Sequence, residues 1–159
     1  MRTLAESIDL LRLNSRCTTM RDVFQQILLI GNASDGRDFR ALFDAGVQAV
    51  VDLALEESPA ALPRELIYCR IPLRDGAGNS SEVLRLAVFS LVSLLRQELR
   101  TLVCCSAGMS RSPAVAAHAI AAITDQPPDK CLIELTVNRP HDVSPAFWNS
   151  LATALAKDS

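Results

Sequence analysis

The stretch Thr101-Leu102-Val103-Cys104-Cys105-Ser106-Ala107-Gly108-Met109-Ser110-Arg111-Ser112-Pro113-Ala114-Val115 constrains the fold more than any other part of the chain. Leu-Val-Cys-Cys reads as a buried strand. Small residues follow, and then a helix starts at once, with Ser112 as N-cap, Pro113 at the first helical position and an Ala-rich run behind it. The first N–H groups of such a helix lack internal partners and carry partial positive charge, so the turn and the helix start together suit an anion. Cys105 and Arg111 bracket the turn. A helix N-terminus and a nearby cation favour the thiolate, which is the nucleophilic form of cysteine. A guanidinium offers a fixed fork that grips two phosphate oxygens. Gly108 supplies the backbone freedom that a loop wrapped around an anion needs, and Ser106 and Ala107 keep bulky side chains out of it.

The rest of the chain alternates strands with helices. Residues 27–30, 47–53 and 66–71 read as strands, the last stopping at Pro72, and residues 37–45 read as a helix closed by Gly46. A long apolar helical face runs over residues 81–100. Helices follow at 113–124, from Pro127-Pro128-Asp129 through Thr136, and from Ser144-Pro145 to about Ala156. This order predicts an α/β fold, a single domain with a central, mostly parallel sheet flanked by helices. With 159 residues, 49% of them hydrophobic but only 4% aromatic, that domain needs a largely aliphatic core. Residues 1–20 form a separate extension, expected to be helical from the spacing of Leu4, Ile8, Leu11 and Leu13, and residues 21–159 form the main domain.

Cys105-Ser-Ala-Gly-Met-Ser-Arg111-Ser112 resembles the phosphate-binding loop of the dual-specificity branch of the cysteine-based protein tyrosine phosphatases. The resemblance extends to Ile30-Gly31-Asn32-Ala33, to Asp38, Leu42 and Gly46, and to Val47-x-x-Val50-Val51-Asp52-Leu53. It implies that Cys105 attacks phosphorus and that Arg111 binds the phosphoryl oxygens. It further implies that the amides of Ser106, Ala107, Gly108, Met109, Ser110 and Arg111 cradle those oxygens, and that the Ser112 hydroxyl helps the thiolate depart. A general acid is implied about thirty residues upstream, in a loop after a strand, and Asp75 in Leu73–Asn79 stands there. Alone, an aspartate before Gly76 is an ordinary turn residue. Asp44 and Asp52 are rivals, but they lie in or beside elements where the family has no such acid.

One departure from the family is Cys104, which stands where relatives carry a histidine that supports the thiolate. A thiol is a poorer donor, so activity is expected to shift toward alkaline pH. Two neighbouring thiols also admit a redox reading, in which oxidised Cys105 condenses with Cys104, or with Cys69 or Cys131 if the fold permits. Against it stands the plainer reading of Cys104 as a small core residue. His118 fits a core or interface position, His141 an exposed turn, and Arg139 either a brace for the site or a surface residue.

The expected function is therefore a phosphoric monoester hydrolase acting on phosphotyrosine, phosphoserine or phosphothreonine in proteins through a cysteinyl phosphate. The alternative is a pseudophosphatase that binds phosphorylated partners. The resemblance implies phosphorylated proteins or small phosphomonoesters as substrates; phosphoinositide-directed relatives carry lysines between the Cys and the Arg, and their lack between Cys105 and Arg111 argues against an inositol lipid. No metal or cofactor is expected. A net charge of −2 argues against a nucleic-acid partner, and no apolar run reaches the roughly 20 residues that cross a bilayer. An odd count of five cysteines, in no disulfide or zinc pattern, fits a reducing, cytoplasmic setting.

Overall fold

The computed structural model describes residues 18–156. In chain order these form β1 (Arg21–Phe24), β2 (Leu28–Asn32), a 3₁₀ turn (Asp35–Arg37), α1 (Phe39–Asp44), β3 (Ala49–Ala54) and β4 (Ile67–Leu73). There follow α2 (Ser81–Arg96), β5 (Thr101–Cys105), α3 (Arg111–Thr124), α4 (Pro128–Leu135) and α5 (Pro145–Ala156). One five-stranded sheet has the order β1-β2-β5-β3-β4. Its four inner and outer strands from β2 to β4 run parallel, and β1 adds antiparallel to β2. The mostly parallel α/β sheet expected from the alternation of elements is the architecture observed.

Every residue of β5 is buried, because it lies between β2 and β3 and both of its faces are covered. Side chains alternate across a strand, so its residues divide between two cores. Val103 and Cys105 face a large aliphatic core built with α2, α3 and α5, which includes the fully buried Phe147 and Leu151. Leu102 and Cys104 face a smaller one with Leu29, Leu42, Val47 and Val50. α3 is buried from Arg111 through Ala121, and its alanines allow this close approach on all sides.

Several boundaries differ from expectation for identifiable reasons. β1 carries no hairpin signal in the sequence, because its turn uses Gln25 and Gln26, with φ of 47° and 59°, in place of the Asn and Gly that such turns prefer. The helix expected from Arg37 starts at Phe39, because the Asp38 carboxylate accepts a hydrogen bond from Ala41 N at 3.2 Å and caps it. β4 continues through Pro72 to Leu73. It is an edge strand, where a missing N–H is tolerated, and the pairing with β3 slips between Asp52 and Ala54. The long helix ends at Arg96, and the chain reverses through Glu98 at φ 56°. α3 starts at Arg111 with Ser110 as its N-cap, two positions before the cap read at Ser112. The expected helix in the extension falls on residues 1–17, outside the described ones.

Candidate active site

The parallel strands end at one edge of the sheet, where open α/β sheets place their ligand sites, and β5 delivers Cys105 to its middle. The loop Ser106–Ser110 is fixed from three sides. Gly108 has φ of 72°, and a Cβ there would lie 2.6 Å from the Gly31 carbonyl oxygen, so only glycine fits. Ala33 N donates to Ser106 O at 3.3 Å, and Asp142 N donates to Met109 O at 2.9 Å. Beside the end of β2, buried Asp35 accepts from Thr18 Oγ1 at 3.0 Å, Thr19 Oγ1 at 2.5 Å and Asn32 N at 2.9 Å. Arg139 Nη1 adds a bond to Thr19 O at 3.2 Å, which favours the bracing role for that residue.

Arg111 is 2% exposed, and its guanidinium is held along one edge. Nη1 donates to Leu73 O at 2.8 Å and to Glu56 Oε2 at 2.7 Å, while Nη2 donates to Glu56 Oε1. Ser106 Oγ donates to the same Glu56 Oε1 at 2.5 Å. The Arg111 hydrogen bond, with help from Ser106 and the Arg111 charge and against the cost of burial, holds the Glu56 carboxyl down to about 2. Burial opposes the Arg111 charge, but Glu56, Cys105 and Asp75 together raise its pKa. The other edge of the fork consists of Nε and the second N–H of Nη2. Nε is buried without a partner, and Nη2 has only a long 3.4 Å contact with Ser106 Oγ. A phosphate needs two parallel donors of this kind.

Asp75 reaches the same loop, where its Oδ1 accepts from Ser110 Oγ at 2.6 Å. Ser112 is fully buried in the first turn of α3, and its hydroxyl has no partner among the described residues. Cys105, Arg111 and Asp75 are thus gathered at one loop. His118 lies apart, two turns down α3, tilted at 43° against Trp148 with 4.6 Å between ring centroids; burial lowers it to about 4. Among the described residues, no cluster of three or more His, Cys, Asp or Glu is placed to hold a metal.

Residues 30–124, more than half of the chain, match the model of the Tc-R-P family, described as polymorphic toxin system, DSP-PTPase phosphatase. The chain belongs to this family of phosphatases. No curated protein matches it. Among solved structures, human DUSP28 is similar at 22% identity and a TM-score of 0.75, over 88% of this chain and 95% of that one. The Orf virus tyrosine phosphatase OH1 is similar at 21% identity and a TM-score of 0.67, over 86% and 85%. The human tyrosine phosphatase-like serine/threonine/tyrosine-interacting protein is similar at 16% identity and a TM-score of 0.74, over 87% and 97%.

In this DSP-PTPase phosphatase, Cys104 is a core residue. Its sulfur packs where a Cβ on Gly36 would come within 2.7 Å, and burial, with the nearby charge of Asp52, raises its pKa. It shares no face of β5 with Cys105, which counts against a disulfide between them. Two site residues carried no sequence signal. Glu56 lies in a Leu-Glu-Glu-Ser turn, and Asp35 in a Ser-Asp-Gly turn; both read as solvated loop.

Proposed function

We propose that Cys105, Arg111, Asp75 and Ser112 carry out phosphomonoester hydrolysis in this phosphatase, on phosphorylated proteins at tyrosine, serine or threonine. Cys105 thiolate attacks phosphorus as the ester P–O bond breaks, and the proton of Asp75 passes to the leaving oxygen. The amides from Ser106 to Arg111 and the Nε–Nη2 edge of Arg111 bind the equatorial oxygens. Water then attacks the cysteinyl phosphate, Asp75 takes its proton, and the Ser112 hydroxyl stabilises the departing thiolate.

The observation that carries this reading is the aim of Arg111. Glu56 and Leu73 hold one edge of its guanidinium, and Nε on the other edge remains buried and unpartnered. Leaving a buried donor unmade costs about 1–3 kcal/mol, which a bound phosphate offsets. The catalytic domain is taken as residues 21–159, with Thr18 and Thr19 of the preceding extension drawn onto it by Asp35. Free Cys69, Cys104, Cys105 and Cys131 support a reducing, cytoplasmic setting. Among the described residues, no helix is long and apolar enough to cross a membrane.

The test is hydrolysis of p-nitrophenyl phosphate, in reductant and without added metal, by wild type and Cys105→Ser. The reading requires turnover that the substitution abolishes while orthovanadate binding persists. A folded wild type that binds orthovanadate without turning over the ester refutes it.

A further inference from the structure

Ser110 occupies the N-cap of α3, where a serine ordinarily gives its oxygen to an amide two or three residues on. It makes no such bond, and its backbone adopts φ −121° and ψ −81°. The sequence contains part of the reason: the third helical residue is Pro113, which has no N–H, so one of the two usual recipients is missing. The hydroxyl turns the other way and donates to Asp75 Oδ1 at 2.6 Å, in a residue that is 5% exposed.

The partner loop is built as a unit that needs such a hook. Asn79 closes it from both sides: its Oδ1 accepts from Arg74 N at 2.8 Å, and its Nδ2 donates to Arg74 O at 2.9 Å and Gly76 O at 3.3 Å. Gly76 and Gly78, at φ of 105° and 94°, make the turns inside it, and a Cβ at Gly76 would meet nothing within 4 Å. Among the described residues, Ser110–Asp75 is the one side-chain hydrogen bond that joins residues 74–79 to the loop Ser106–Ser110.

We propose that Ser110 is a positioning residue that acts through Asp75. It ties down Oδ1 so that Oδ2 is the atom that bears the transferable proton and faces the leaving group. The inference rests on the reading of Asp75 as general acid. In the first half-reaction the proton on Oδ2 moves to the leaving oxygen as the S–P bond forms and the P–O bond breaks. In the second, the Oδ2 carboxylate takes a proton from water as the new P–O bond forms and the S–P bond breaks. Ser110 keeps its own proton throughout. Its contribution therefore grows with the basicity of the leaving oxygen, because a weakly basic phenoxide departs with little need for an acid.

The experiment compares kcat/KM for phenyl phosphate and 2,4-dinitrophenyl phosphate in wild type, Ser110→Ala, Ser110→Thr, Asp75→Asn and the Ser110→Ala, Asp75→Asn double variant. In Ser110→Ala the preference for the dinitrophenyl ester is expected to rise about 10-fold, a part of the roughly 10²–10⁴-fold that a general acid supplies. Ser110→Thr, which keeps the hydroxyl, restores the wild-type ratio. In the Asp75→Asn background Ser110→Ala produces no further loss on phenyl phosphate. An equal loss on both esters, or additive losses in the double variant, overturns the inference and points to a role in folding the loop alone. Absence of turnover dependent on Cys105 in wild type overturns the parent reading as well, so the two failures are distinguishable.

Discussion

Replacing Glu56 with glutamine isolates the contribution of one charge to the aim of Arg111. Glutamine retains the size and one acceptor but cannot offer two oxygens to the guanidinium and a third bond to Ser106. A carboxyl held at about 2 instead of 4.5 corresponds to roughly 3 kcal/mol in favour of the ionised form. The side chain is 52% exposed, and solvent screening reduces the usable part to about 1 kcal/mol. The folded-state pKa lies below the unfolded one. This stabilisation is therefore fully present above pH 4.5 and disappears as pH falls toward 2. Glu56→Gln is expected to lose about 1 kcal/mol of folding stability at pH 7 by urea denaturation, with the deficit closing below pH 4. Its kcat/KM for p-nitrophenyl phosphate is expected to fall roughly 5- to 10-fold, the equivalent of about 1–1.4 kcal/mol in binding the transition state. A deficit that stays constant down to pH 2.5 would assign the loss to packing. Unchanged kcat/KM would refute the claim that Glu56 aims Arg111.

Two further substitutions test the buried residues of the helix layer and of the sheet. Burial holds His118 at about 4, with Asp129 opposing, so its folded pKa lies below the ordinary 6.5. As pH falls, the unfolded chain takes up the proton first. Stability is full above about 6.5 and declines by roughly 3 kcal/mol on the way to 4, and a non-titrating His118→Leu should flatten that decline when urea midpoints at pH 7 and pH 4.5 are compared. Restoring the family histidine by Cys104→His places an imidazole against Gly36, where the sulfur already fills the space. It is expected to cost about 1–3 kcal/mol, or a melting temperature lower by several degrees, and a variant as stable as wild type would show that the smaller core has slack.

The parts of the site that could be read from sequence are those that local chemistry determines. A strand, a run of small residues and a helix start within one short stretch force Cys105, Arg111 and the loop amides together whatever the rest of the chain does. Asp75 was legible only through its spacing from that stretch. Glu56 was not, because its importance lies in a contact with Arg111 across 55 positions, and nothing in a Glu-Glu pair after a strand distinguishes it from a solvated turn. Asp35 was hidden for the same reason, being joined to Thr18 and Thr19 by bonds that span 17 and 16 positions. The helix cap was misplaced by two residues. Both Ser110 and Ser112 satisfy the cap preference, and Pro113 fits either start, because any position in the first helical turn tolerates a missing N–H.

The order of strands also separates the two halves of the proposed chemistry thermodynamically. Cys105 ends the central strand, so exposing it means breaking pairings on both sides and opening both cores, a cost close to that of global unfolding. Asp75 follows β4, which has a neighbour on one side only. Sub-global opening that peels this strand away carries off Asp75 and, with Leu73 O, one of the acceptors that hold Arg111, while Cys105 stays on the central strand. The proposed chemistry thus predicts that Asp75 and the Leu73 hold on Arg111 are lost before Cys105 is exposed, and amide exchange should place β4 well below β5 on the ladder of protection.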